Sequence, residues 1–355
     1  MSGGGAGGRG LQFGVLQFFS WPGRRVPLTT VYRRALERID LMERSGVYEA
    51  VWLAEHHFTP YSVSPSVSVM GALVAARTER LRIGTAVSLA AMYHPLRLAE
   101  EIALLDVVSG GRVNWGAGRG NDPGEFQVFG LDLDRSYALF RENVDIVVRA
   151  WQDERLTYHG DFHTFEDIEV LPKPLQRPGP PVWLASSSPD AIAWAAAAGY
   201  SILMDPHSPH TGIGAKYAAY RDGLAAAGHA TEGRVTPMAR LIAVAPTDEE
   251  ARAVALRGAQ WTVASMSDPA RRRLSKGIRA AAPPKAEHGE HAGQERRSRA
   301  ERYVDEVVVH GSPERVVDRI RALQEEIGLH YLLCAPLSHS SFVLLTEEVI
   351  PKLLR

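Results

Sequence analysis

The sequence predicts an α/β protein of the (β/α)8 TIM-barrel class, with insertions, folded as a single domain. Three observations carry that reading. Apolar strand-like runs alternate with longer segments of helical period, and eight such units follow one another. Strict βα alternation implies a parallel sheet, and eight units fit a closed barrel. The G-x-G-x-x-G fingerprint of an open, doubly wound sheet is absent after the first strand. The length of 355 residues would suggest two domains, but α/β barrels hold this many in one.

The elements follow in order. Residues 1–10, MSGGGAGGRG, are expected to form a disordered tail, being too rich in glycine to order and lacking the apolar stretch of a signal peptide. The barrel is expected over 11–355. Its first strand lies within 11–19, and in the segment that follows Val31, Ala35, Ile39 and Met42 share one helical face. The second strand, 48–57, is followed by SPSVSVMGALVAART. The third, 81–90, is followed by a helical segment that closes on Gly110-Gly111, a pair suited to a helix C-cap. The fourth is placed at 112–120, and the fifth, 180–188, precedes a helix starting near Pro189. The sixth, seventh and eighth, at 200–205, 234–245 and 329–336, each lead into a segment of helical period. Two insertions interrupt the pattern. Residues 155–178 alternate in a strand-like way around HGDF and read as a hairpin. Residues 267–302 are charged, short of large apolar side chains and broken by Pro and Gly, and read as a mobile excursion. After it, Ser312 can cap a helix that starts at Pro313.

Composition narrows the function class. The 40 basic and 41 acidic residues leave a net charge of -1, so no overall field draws the chain to nucleic acid or an anionic membrane. The longest weakly polar run, near AIAWAAAAGYSILM, is shorter than the ~18 residues a membrane span needs. Neither partner is expected. The single cysteine, Cys334, excludes a disulfide within the chain and a Cys-based metal cluster, and suits a cytoplasmic location. It sits in YLLCAP and reads as a small buried hydrophobe rather than a nucleophile.

A barrel carries its active site at the C-terminal ends of its strands, and polar side chains collect there. The second strand ends in Glu55-His56-His57, the fourth in Arg119, Asn121, Asp122 and Glu125, the fifth in Ser186-Ser187-Ser188 and the sixth in Asp205, followed by His207 and His210. Side chains alternate along a strand, so one of His56 and His57 reaches the mouth while the other faces the helices. Adjacent histidines make a poor metal pair, H-x-H and H-E-x-x-H spacings are missing, and no metal is expected. In GAGRG, 116–120, the glycines let a ligand approach the backbone and Arg119 offers a planar fork to phosphate. The serines at 186–188 end a strand just before a helix, where hydroxyls and N-terminal N–H groups make a phosphate cradle. The structural alternatives are an ion pair for Arg119 and plain helix capping for the serines. From the residues alone the reading is a barrel enzyme with a phosphate anchor and a histidine in its mouth; the cofactor stays open.

The segments AEHHF, RIGTAV, HPLRLAEEIALLDVVSGGRV and GRGNDPGEFQVFG, with GSPERVVDRI near the C-terminus, together resemble the bacterial luciferase-like flavin monooxygenases, especially the luciferase α-subunit branch. The similarity runs from about Leu11 to the end, excluding 267–302. The resemblance implies a two-component, FMNH2-dependent monooxygenase: reduced FMN supplied by a separate reductase, O2 as co-substrate, and a flavin C4a-(hydro)peroxide that oxygenates an aldehyde or another small organic molecule. It implies that His56 is the catalytic acid/base, with Glu55 and His57 supporting. Glu125, where the family has an aspartate, would orient His56. Arg119 would bind the flavin phosphate, as would Ser186 and Ser187, where the family has a Glu-Ser pair. Ala54, Ala86 and Val87 complete the cofactor-binding set, and the Ala86–Val87 peptide is expected to be cis, beneath the flavin ring. The cysteine of the luciferase α-subunits is Gly118 here, so thiol chemistry is absent and the pocket is expected to be wider; light emission is not implied. A homodimer is expected. The 267–302 segment is expected to order over the site when flavin binds. Two other functions stand beside this one: an oxidoreductase using deazaflavin F420, whose longer anionic tail would want more basic groups than Arg119, and a non-catalytic flavin-binding subunit, which would have no need of His56. Phe18, Trp21, Trp115, Trp183, Tyr93 and Met204 suggest an apolar or aromatic substrate, although all six are also ordinary barrel-core residues.

Overall fold

The computed structural model describes residues 10–204, 206–232, 234–235, 237–266 and 298–354. All eight expected strands are present, each shorter than its apolar run: β1 (Gln12–Gln17), β2 (Ala50–Leu53), β3 (Arg82–Thr85), β5 (Val113–Gly118), β8 (Val182–Ala185), β9 (Ser201–Leu203), β10 (Pro237–Val244) and β12 (Tyr331–Pro336). They pair in parallel in the order β10-β12-β1-β2-β3-β5-β8-β9, with the two-residue β4 (Ser88–Leu89) pairing with β5 off this path, and a parallel bridge from Met204 to Met238 joins β9 back to β10. The sheet therefore curls round on itself as a barrel.

Alternation along the strands sorts the apolar side chains into two layers. Leu16, Ala50, Trp52, Trp183, Leu203, Ala239, Leu241, Tyr331 and Leu333 form one buried cluster, inside the barrel. Val15, Val51, Leu53, Ile83, Val113, Leu184, Ile202, Ile242 and Leu332 belong to the other, between strands and helices. The interior is plugged at mid-height by two tryptophans. Trp52 and Trp183 meet edge to face with centroids 5.4 Å apart, and the Trp52 indole N–H donates to the Tyr331 hydroxyl at 2.9 Å. Glycine makes room for them: a Cβ at Gly84 would sit 2.3 Å from the Trp52 ring. Above the plug the inward positions turn small, with Ala54, Ala243 and Ala335 in the interior cluster and Ala86 packed against it.

The helices follow the sequence pattern. In α1 (Leu28–Ser45) the buried positions are Val31, Ala35, Ile39 and Met42, and Gly46 ends it in the left-handed conformation. Ser66 caps α2 (Val67–Arg77) through the Val69 N–H. After α3 (Pro95–Val108), Gly110 and Gly111 both adopt positive φ. The expected hairpin is β6 (Leu156–His159) with β7 (Thr164–Ile168), antiparallel. Its turn is held by Glu142 of α5 (Ser136–Gln152), whose carboxylate accepts the N–H groups of Asp161, Phe162 and His163 at 2.7–3.2 Å.

Some expectations need correction. Residues 298–302 do not belong to an irregular excursion, because Ser298 and Glu301 form a reciprocal capping box that starts a helix at Arg299–Val307; residues 267–297, and with them the expected ordering over the site, lie outside the described residues. A further strand, β11 (Val309–Gly311), pairs with Ile242–Val244; with three residues it was too short to show as a periodic run. The helix Pro313–Ile327 does start at Pro313, but the Ser312 side chain makes no capping bond. Its backbone N–H donates instead to Asp248 at 2.8 Å. Asp205 lies outside the described residues.

Candidate active site at the barrel mouth

The Glu-His-His run follows directly on β2. Glu55 is buried and turns toward the helices. There it accepts hydrogen bonds from the Tyr93 hydroxyl (3.0 Å) and the Leu89 N–H (3.3 Å) and meets His57 Nε2 at 3.0 Å. Burial and the Glu55 carboxylate push the Tyr93 phenol well above its ordinary pKa, so it stays a donor to that carboxylate. His57 packs edge-on against Phe129. His56 takes the other side: its ring lies against Tyr61, centroids 5.0 Å apart, and stacks at 6.3 Å with Phe18. The two histidines diverge, as alternation requires.

Glu125 belongs to a short helix, α4 (Pro123–Val128), whose start is encoded by Asp122 and Pro123. The Asp122 side chain accepts the Gly124 N–H at 2.9 Å, and Pro occupies the first turn. This places a buried Glu125 carboxylate against the β2 end. Its Oε1 accepts the His57 backbone N–H at 2.9 Å and lies 4.0 Å from His56 Nδ1. One acid thus addresses both histidines, one through the backbone and one through the ring.

Arg119, just past β5, donates from Nη1 to the Ser136 hydroxyl at 2.9 Å and lies over the Tyr137 ring at 4.4 Å and the Phe126 ring at 5.7 Å. No carboxylate pairs with it among the described residues, so the ion pair considered from sequence is not what holds it. The β5–β8 register pairs Ala117 with Leu184, so Arg119 and Ser186 each follow the C-terminal end of one of two neighbouring strands. Ser186 is buried, and its hydroxyl turns back to the Leu184 and Ala191 carbonyls. Ser188 caps the helix α6 (Pro189–Ala197) through the Ala191 N–H. Ser187, between them, is exposed at that helix N-terminus.

The glycines of GAGRG serve the fold more than a ligand. Gly116 lets β5 close on β3: its N–H and C=O both bond the Thr85 hydroxyl, at 2.8 and 2.6 Å, and a Cβ there would collide with the Thr85 carbonyl. Gly118 does not widen the pocket as expected, because Val87 already fills the space: a Cβ at 118 would lie 2.4 Å from Val87 Cγ2. The Ala86–Val87 peptide is cis. Of the six pocket candidates, only Phe18 and Trp183 join the interior cluster; Trp115, Met204, Tyr93 and Trp21 pack on the helix side. His210, which begins α7 (His210–Ala226), also lies outside the barrel, receiving the Arg240 Nε–H at 3.1 Å, and His207 bonds Tyr303. No cluster of three or more potential metal ligands occurs among the described residues, and no helix among them is long and apolar enough to cross a membrane.

A curled parallel barrel with small residues around its mouth and an imidazole, a buried carboxylate and a guanidinium at its strand ends defines a barrel enzyme whose chemistry sits at the C-terminal face. The chain belongs to the luciferase-like monooxygenase family, whose profile matches residues 11–330. Among characterised relatives, it is 30% identical over 178 residues to the oxygenase component of the flavin-dependent trigonelline monooxygenase of Acinetobacter baylyi, covering 50% of this chain and 49% of that one. It is also 30% identical over 176 residues to an alkanal monooxygenase alpha chain of Photorhabdus luminescens, covering 50% and 49%. The chain spans about half the length of the curated relatives it matches. Its fold superposes on the monooxygenase RslO1 of Streptomyces bottropensis with a TM-score of 0.82 at 25% identity, over 96% of this chain and 99% of that one.

Proposed function

We propose that the protein is the oxygenase of a two-component system, binding reduced FMN delivered by a separate reductase in the cytoplasm and using O2 to oxygenate a small organic substrate. The observation that carries this reading is the single segment 118–126. It carries Arg119, just past β5 and over the Phe126 and Tyr137 rings, and, through the Asp122–Pro123 start of α4, Glu125 beside His56.

A flat, phosphate-bearing flavin fits the mouth. Arg119 has donors to spare beyond Ser136, and Ser187 with the α6 N-terminus offers a hydroxyl and a positive dipole end. The small side chains of Ala54 and Ala86 with Val87 leave a shallow apolar floor for a ring. Beneath it, Trp183 Nε1 is a buried donor without a protein partner among the described residues. Bound reduced FMN would supply the electrons that let O2 deliver one oxygen atom to the substrate and the other to water. The protein's own part is to hold and dry the site: His56, aligned by Glu125 and walled by Phe18 and Tyr61, passes a proton at its ring nitrogen, while Glu55 braces the strand end on Tyr93 and Leu89.

Titrating reduced FMN anaerobically into wild type and Arg119→Ala tests the phosphate anchor. Loss of a charge-assisted contact of about 1.5–3 kcal/mol should weaken binding about 10- to 100-fold; equal affinities would remove the anchor. We also propose a homodimer. Val69 and Leu73 on α2 and Leu104, Val107 and Val108 on α3 are exposed, spaced at helical intervals that put an apolar stripe on each helix.

A further inference from the structure

A cavity of about 1000 Å³ opens on one side of the mouth, reaching from the interior residues Leu16, Leu241 and Ala335 at the ends of β1, β10 and β12 out to the helices α1 and α8 (Asp248–Met266). Its barrel-side wall includes Phe18 and Tyr61, the two rings that flank His56. Its helix-side wall carries Arg25, Arg34, Arg38 and Arg257, and among the described residues none of the side chains lining it is acidic. Four arginines lining one concavity with no carboxylate among the described residues is an arrangement that favours an anion.

Two details make it more than a solvated basic face. Arg38 Nε is buried with no hydrogen-bond partner among the described residues, and its guanidinium lies over the Phe342 ring at 5.8 Å. Trp261 Nε1, in the same wall, is likewise buried and unpartnered. Leaving such donors unmade is unfavourable, and an acceptor entering the cavity relieves it. Burial and the like charge of Arg34 lower the Arg38 pKa, which an entering anion would reverse.

We propose that this cavity binds the carboxylate of the substrate, and that the substrate is a small aromatic or apolar organic acid whose body reaches back past Phe18 and Tyr61 to His56. Calling the ligand the substrate rests on the monooxygenase reading; the anion site itself does not. An acid is held by its charge at the arginine end while the reacting carbon lies at the histidine end, so orientation follows from electrostatics and shape together.

The test is equilibrium binding of benzoate and of neutral, equally shaped benzamide to the full chain, followed by tryptophan fluorescence and dialysis. Benzoate should bind at least about tenfold tighter than benzamide, and the double variant Arg34→Gln/Arg257→Gln, which changes exposed side chains, should lose about tenfold or more of that affinity. Arg38→Met, which keeps the stem on Phe342, should do the same. FMN affinity, measured in parallel, should stay unchanged in both variants. Equal affinity for benzoate and benzamide, benzoate binding indifferent to the arginine variants, or inorganic phosphate binding as tightly as benzoate would each overturn the proposal. If benzoate binds as expected but reduced FMN does not, the acid site stands and the flavin reading falls; the reverse result separates them the other way.

Discussion

At the scale of single residues, the mouth is organised by two carboxylates with different tasks. Glu55 turns outward and accepts from Tyr93 and Leu89 while meeting His57, which makes it a brace; Glu125 turns toward His56 and accepts the His57 backbone N–H. His56→Ala should therefore depress substrate oxygenation about 10²- to 10⁴-fold, the usual range for a lost acid/base group, with flavin affinity little changed. Parallel loss of flavin binding, read by titration, would mean that His56 is a cofactor contact instead. A second histidine sets a pH limit on stability. His210, desolvated and facing Arg240, has its pKa lowered to about 4. The unfolded chain binds that proton near the ordinary value of about 6.5, so its contribution to stability is complete above about pH 6.5 and is lost as pH falls toward 4. His163 and His310, also lowered by burial, act in the same direction. Urea midpoints followed from pH 7 to 4 should fall, and less steeply in His210→Gln, which keeps an acceptor for Arg240.

At the scale of elements, β2, β3, β5 and β8 form a unit whose inward face is built from pairs of large and absent side chains. Trp52 fills the space over Gly84, and Trp183, opposite Gly116 in the ladder, meets Trp52 edge to face. This plug is the floor on which the alanine-lined mouth rests. Trp52→Ala would leave a cavity under the site and strip the Tyr331 hydroxyl of its donor. Its expected cost is about 3–5 kcal/mol, measured by urea denaturation; a loss below about 1 kcal/mol would show that the floor collapses freely. The segment after β5 is the other decisive element. Its Asp-Pro helix start carries Glu125 to the β2 end, and the same helix lays Phe126 beside Arg119.

At the scale of the whole molecule, the apolar stripes on α2 and α3 sit on helices that pack against each other, and they include none of His56, Glu125 and Arg119. A dimer formed through them would leave each site open. Leu104→Glu combined with Val69→Glu should therefore shift sedimentation from dimer to monomer while leaving flavin affinity in place. A wild-type chain that sediments as a monomer at micromolar concentration would defeat the homodimer.

The barrel could be read from sequence because both of its periodicities are local: a strand's apolar run and a helix's spaced face are each written within a dozen residues, and all eight runs recur in β1, β2, β3, β5, β8, β9, β10 and β12. The divergence of His56 from His57 followed from alternation alone. Three-residue β11 and the capped helix Arg299–Val307 carried too little periodic signal beside a charged stretch, although the Ser298-to-Glu301 capping box was present as a clue. Tertiary packing decided the rest. It set Val87 in the space that Gly118 seemed to leave, gave Gly116 to Thr85, and turned Trp115, Tyr93 and Met204 outward. It also brought arginines from α1, α8 and the loop after β1 to one cavity beside His56. Sequence alone fixes which residues share a face, since that depends on backbone period. Which faces then meet depends on how the strands register and close, and only the folded chain settles that.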